Sequence, residues 1–109
     1  MNKVRMQTDR AKIWKVIRAH KEEFTSADIE MLTDATYVNI KRYLKILADA
    51  GYLRKRRKPN LNGKGTHWVY RLVKNTGPKP PVQKDLRFLF DPNTNEYWVE
   101  DPETVIRRG

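Results

Sequence analysis

The sequence predicts an α+β chain, mainly α, with three helices and a β-hairpin followed by a second β-hairpin appended at the C-terminal end. Three observations carry that expectation. Apolar residues recur at helical spacing in three blocks between residues 8 and 50, each opened by a residue able to cap a helix. An alternating pattern rich in aromatic and β-branched residues replaces it in "THWVYRLV" and again in "LRFLF" and "EYWV". Between these regions "NTGPKPP", residues 75–81, holds three prolines and a glycine, which stop a helix and favour an extended, semi-rigid connection. The expected organisation is therefore a body over 1–74, a linker over 75–84 and a C-terminal hairpin with a short helix over 85–109.

The first helix is expected to start at Thr8 as cap, with Asp9 near the positive end of its dipole and Ile13, Trp14 and Ile17 on one apolar stripe. The second opens at Thr25, with Asp28 three residues on as a short-armed capping box and Phe24 and Ile29 placed as a hydrophobic staple. Ile29 and Leu32 are expected to supply its buried face. Thr36 or Asp34 caps the third helix, whose Ile40, Tyr43, Leu44 and Leu47 share a face. Gly51 ends it in the left-handed conformation, and Tyr52 beyond it can fold back onto Leu47. At 100° per residue, Val38, Lys41, Arg42, Lys45 and Asp49 point away from the core.

A strand follows from Tyr52 and Leu53, and "PNLNGKG" provides the asparagines and glycines of a turn. The intervening run "RKRRK", residues 54–58, is charged on both strand faces and so cannot pack against a core on either. It must meet solvent or an anion. Charge supports the anion, because the chain carries 23 Lys and Arg against 13 Asp and Glu, a net +10. Residues 1–84 hold 20 of the basic and 7 of the acidic residues, a net +13, whereas 85–109 is −3. A polyanionic partner fits this balance better than a small acidic substrate.

Two helices joined by a tight turn, the second with a cationic outer side, and then a basic hairpin resemble the winged helix-turn-helix family. The likeness is clearest in "IKRYLKILADAGYLRKRR", residues 40–57, and extends over about 8–74. It implies a third helix that lies in the major groove of double-stranded DNA and a wing on the neighbouring phosphates or minor groove. Arg42 is then the first candidate for bidentate contact with guanine, Asn39 for adenine, and Tyr37 and Val38 for a thymine methyl or a sugar. Lys41 and Lys45 suit phosphate, as do Arg54, Lys55, Arg56, Arg57 and Lys58, with Lys64 at the hairpin tip. A solvated helix face, a charge-protected edge strand or a nuclear import signal are the plainer readings of the same cations. "YRLVKNTGPKPP" followed by "FDPN" is also similar to small regulator-like proteins of phages and prophages.

Other chemistries find little purchase. Trp14, Trp68, Tyr70 and Tyr43 are expected in the core, each on the apolar stripe of its element. His20 and His67 lack metal-ligand spacing, and Ser26 lacks a nucleophile's setting, so neither an enzyme nor a cofactor or metal is expected. Without cysteine, signal peptide or transmembrane run, the expected location is cytoplasmic and off the membrane. The C-terminal hairpin is too apolar to stand free and must dock on the body, on a second copy in a homodimer, or on another protein. Its acids Glu96, Glu100, Asp101 and Glu103 are expected to keep that end away from DNA. Asp101 and Pro102 are expected to open a short closing helix. The expected function is duplex-DNA binding by a small transcriptional regulator of a phage or mobile element, the alternative being a winged helix used for protein interaction in a larger assembly.

Overall fold

The computed structural model describes residues 2–85 and 87–100, so the closing helix expected at Asp101 and Pro102 lies outside the described residues. Three helices come first: α1 (Asn2–Ala19), α2 (Ser26–Leu32) and α3 (Tyr37–Asp49). A two-stranded antiparallel hairpin follows, β1 (Leu53–Pro59) with β2 (Thr66–Leu72), and then a three-stranded antiparallel sheet of β3 (Val82–Asp85), β4 (Phe88–Asp91) and β5 (Glu96–Val99) in that spatial order. The class is α+β, with helices and sheets both substantial.

Local chemistry explains the boundaries of α2 and α3. Thr25 and Asp28 form the full capping box: the Asp28 N–H donates to Thr25 Oγ1 at 3.1 Å, and the Thr25 N–H donates to Asp28 Oδ2 at 2.9 Å. Thr36 caps α3 by accepting the Asn39 N–H at 3.2 Å. At the other end Gly51 takes φ +89°, and the Tyr52 N–H reaches the Leu47 carbonyl at 2.9 Å while the Gly51 N–H reaches Ala48 at 3.1 Å. That pair of bonds satisfies two orphan carbonyls and turns the chain sharply into β1.

The start of α1 differs from expectation. The helix begins at Asn2, so Thr8 and Asp9 lie inside it, and Asp9 is fully buried. Its carboxylate accepts the Thr36 N–H at 3.2 Å and Asn39 Nδ2 at 2.8 Å, so it serves the N-terminus of α3 rather than that of its own helix. Arg10 beside it is also buried, with its guanidinium 5.2 Å from the centre of the Tyr43 ring. Leu32 differs too: it is 60 % exposed, and Ile29 alone carries the buried side of the short α2.

One core joins the elements. Ile13, Trp14, Ile17, Phe24, Ile29, Ile40, Tyr43, Leu44, Leu47, Tyr52, Leu53 and Tyr70 are buried in a single cluster, and Leu89 of β4 belongs to it. Trp98 of β5 packs against the same cluster. The C-terminal strands therefore dock on this chain's own body. Buried polar contacts reinforce the docking: Trp14 Nε1 donates to the Gly77 carbonyl at 2.9 Å, the Tyr43 hydroxyl donates to the Pro81 carbonyl at 2.7 Å, and the Tyr52 hydroxyl donates to Asp91 Oδ2 at 2.7 Å. The proline-rich segment thus lies along α1 and α3, and its end continues as β3, where 75–84 had been expected to be linker throughout. Val82–Asp85 shows one apolar residue in four, so only backbone pairing with β4 reveals it.

Candidate nucleic-acid interface

The register of the β1–β2 hairpin sorts its cations. Arg57 lies opposite Trp68 and Lys55 opposite Tyr70, and residues opposite each other in an antiparallel pair share a face. Lys55, Arg57, Trp68 and Tyr70 therefore line one side, and Arg54, Arg56, Lys58, Val69 and Arg71 the other. Phe24 fixes how the arm leaves the body. Its N–H and carbonyl exchange bonds of 2.9 and 2.8 Å with Tyr70, and the two rings stack at 5.9 Å. The base of the hairpin is thereby tied to the residue that precedes α2.

Trp68 was expected in the core and is not part of it. It is 36 % exposed, with Lys55 Nζ 4.6 Å and Arg57 Cζ 4.7 Å from its ring centre. The alternation that put Trp68 on the same side as buried Tyr70 is correct, but the body ends below it. On this face no core remains past Tyr70, although Val69 on the other face is still buried, so the indole is covered by cations. Contacts of this type at exposed sites contribute about 0.5–1 kcal/mol each and hold two long side chains in place.

The outer face of α3 meets the same side of the hairpin. Lys41 of α3 and Thr25, Ser26 and Ala27 at the start of α2 join His67, Trp68 and Tyr70 around a groove of about 330 Å³. Lys41 Nζ also lies 5.6 Å from the centre of the Tyr37 ring. Tyr37, Val38, Lys41, Arg42 and Lys45 are all exposed, and the C-terminal sheet leaves them uncovered. Lys45 pairs with Asp49 at 2.8 Å across one helical turn in solvent, a contact of small energetic weight. Asn39 is half-buried, with its amide nitrogen given to Asp9. Tyr37, Lys41, Lys55, Arg57 and Trp68 thus form one continuous aromatic and cationic strip.

The opposite face of the hairpin is partly neutralised. Glu23 accepts two bonds from the Arg56 guanidinium and lies 3.7 Å from Lys58 Nζ. Hydrogen bonding to Arg56 holds the Glu23 carboxyl below the usual range, and the same bond raises Arg56. Lys21, Glu22 and Arg71 complete the rim of a shallow hollow at this place. Arg54, on the same side, is exposed. The five-cation run is therefore two groups of different chemistry.

At the far end Lys64 is exposed in a turn that also carries Leu61, fully exposed. Leu61 and Glu23 were missed from sequence. A Glu-Glu pair in a loop gives no local hint of an arginine 33 positions from Glu23, and a single leucine in a polar turn gives no period. No family model, curated protein or solved structure matches this chain.

Proposed function

We propose that this protein is a winged helix-turn-helix binder of double-stranded DNA, acting as a small transcriptional regulator of a phage or other mobile element. The single observation that carries the reading is the shared strip: Lys41 on the outer face of α3 lines one groove with the Trp68 side of the hairpin, and Arg42 and Lys45 on that helix are also left exposed by the C-terminal sheet. A major groove about 12 Å wide admits one helix, and a hairpin beside it meets the phosphate ridge. In this reading Arg42 contacts guanine, Tyr37 and Val38 contact a thymine methyl or a sugar, and Asn39 is a positioning residue that stays with Asp9. Lys41, Lys45, Lys55, Arg57 and Lys64 contact phosphate. Arg54, Arg56 and Lys58 add to the field without touching the duplex. Glu96, at the start of β5, and Glu100, just after its end, disfavour DNA at the docked C-terminal sheet.

The test is affinity for duplex DNA across a salt series, paired with selection from random sequence. Five phosphate contacts at about −0.9 each give a slope of about −4.5 for log affinity against log salt. Arg42→Ala is expected to relax preference at one base pair, by roughly 1–3 kcal/mol of discrimination. A flat salt response would refute duplex binding.

One feature favours a second reading. Met31 and Leu32, 82 % and 60 % exposed, end α2 beside the start of α3, where Tyr37 and Val38 are also exposed. An apolar corner of this kind suits a protein partner, as in a winged helix used within a larger assembly. Loss of duplex affinity from Met31→Ser/Leu32→Ser would count against that division of surfaces.

A further inference from the structure

We propose that Leu61 is an apolar wedge for the minor groove, so that the protein bends the duplex as it binds. This rests on the duplex-binding reading above and adds an activity to it.

The tip of the hairpin is built to present this one side chain. Asn60 Nδ2 donates to the Lys64 carbonyl at 2.6 Å, and Asn60 Oδ1 meets His67 Nδ1 at 2.7 Å. Asn62 Oδ1 accepts the Lys64 N–H at 2.9 Å. The Asn60 N–H bonds the Gly65 carbonyl and the Gly63 N–H bonds the Asn60 carbonyl, each at 3.1 Å. Gly63 and Gly65 both take positive φ, so the chain folds tightly enough for these bonds to close. Both asparagines are turned onto the loop's own backbone. Leu61 makes none of these bonds and is fully exposed, and Lys64 is exposed in the same turn.

A single exposed leucine is ordinary on a protein surface. Its setting is not. Ordering a six-residue turn costs conformational entropy, and here the bonds that offset it hold polar side chains inward while the apolar one gains no cover. The length of the arm gives the tip a destination. From Lys55, opposite the tied Tyr70, to Pro59 the arm extends about 13 Å at about 3.3 Å per residue, and the six-residue turn carries the tip further. With α3 in the major groove, an arm of that reach crosses one phosphate ridge and ends at a minor groove about 6 Å wide. Lys55 and Arg57 then lie over the ridge, and Lys64 reaches a phosphate at the groove's edge. Leucine is among the side chains that enter a base step from the minor groove, partly unstack it and kink the duplex. Pyrimidine–purine steps yield most easily, so a TpA or CpA step is expected under the tip.

The experiment uses the full chain with a short duplex carrying one TpA step, labelled at both ends for energy transfer and with 2-aminopurine at the step. Leu61 touches no core residue, so Leu61→Ala and Leu61→Met are expected to melt with the wild type. Expected is a bend and a rise in 2-aminopurine fluorescence on wild-type binding. Leu61→Ala should lose both, weaken affinity roughly tenfold and keep the salt slope, while Leu61→Met keeps all four. A wild-type complex that binds with the steep salt slope yet leaves the duplex straight would overturn the wedge and leave duplex binding standing. So would a Leu61→Ala complex as bent as the wild type. Absence of any salt-dependent binding would overturn both.

Discussion

Asp91→Ala tests how the C-terminal sheet is held to the body. Asp91 is 1 % exposed and accepts four bonds: from the Tyr52 hydroxyl at 2.7 Å, the Thr76 hydroxyl at 2.6 Å, and the Asn93 N–H and Nδ2 at 2.9 and 3.0 Å. Truncation leaves Asn93 Nδ2 with the Lys79 carbonyl and Thr76 Oγ1, but three donors lose their acceptor: the Tyr52 hydroxyl, the Thr76 hydroxyl and the Asn93 N–H. Three bonds to a charged acceptor, at about 1.5 kcal/mol each or more, give a loss of about 4.5 kcal/mol. For a domain of this size that lowers Tm by about 18 °C or more.

The pH dependence has a definite sign. Burial pushes the Asp91 carboxyl up, but the bonds from Thr76, Tyr52 and Asn93 outweigh it and hold the group below the usual carboxylate range. Burial and the bond to Asp91 together push the Tyr52 hydroxyl well above its ordinary value, so it stays protonated as the donor. A depressed acid contributes stability that is present above the ordinary carboxylate pKa and is lost as pH falls through the folded value. Urea denaturation followed by tryptophan fluorescence should therefore show wild type and variant converging in acid and well separated at neutral pH. A neutral-pH difference below about 1 kcal/mol, or an equal gap at all pH values, would refute the reasoning.

Other expectations concern the hairpin and the helix starts. Lys55→Ala and Arg56→Ala remove the same charge one residue apart, yet only the first should reduce the salt slope of duplex binding, by about 0.9; equal reductions would mean that both faces of β1 meet phosphate. In a double-mutant cycle, Lys55→Ala with Trp68→Leu should show a coupling of about 0.5–1 kcal/mol in hairpin stability, and zero coupling would make the two mere neighbours. Thr25→Ala removes the capping box of α2 and should reduce stability by about 1 kcal/mol, read as a Tm decrease of about 4–8 °C; an unchanged Tm would show that the box contributes nothing.

Elements whose signals are local were legible in the sequence. Thr25 and Asp28, Thr36, the Ile40 to Leu47 spacing and Gly51 each act within one turn of themselves, and the structure has each in its expected role. Asp9 misled because a Thr-Asp pair has the look of a cap, while its true partners, Thr36 and Asn39, lie about 30 positions on. Alternation put Trp68 on the correct face of β2 but could not say where the body ends beneath it. Leu32 carried a helical period in a helix too short to bury two turns. The strand at Val82 has almost no side-chain signature, and its partner β4 supplies the pairing. For the candidate site, the residues were visible one by one as cations. Alternation also divides Arg54, Arg56 and Lys58 from Lys55 and Arg57, as the structure has it, but does not say which group meets Glu23 and which meets Trp68, because that depends on the pairing with β2 and on a loop acid far away in sequence.

The most direct test is removal of the two halves of the strip, separately and together. Lys41→Ala takes one phosphate contact from α3 and Lys55→Ala/Arg57→Ala takes two from the hairpin, so the salt slope of about −4.5 should shrink by about 0.9, about 1.8 and, combined, about 2.7. A slope that responds to one half and ignores the other would contradict a single surface formed by helix and hairpin.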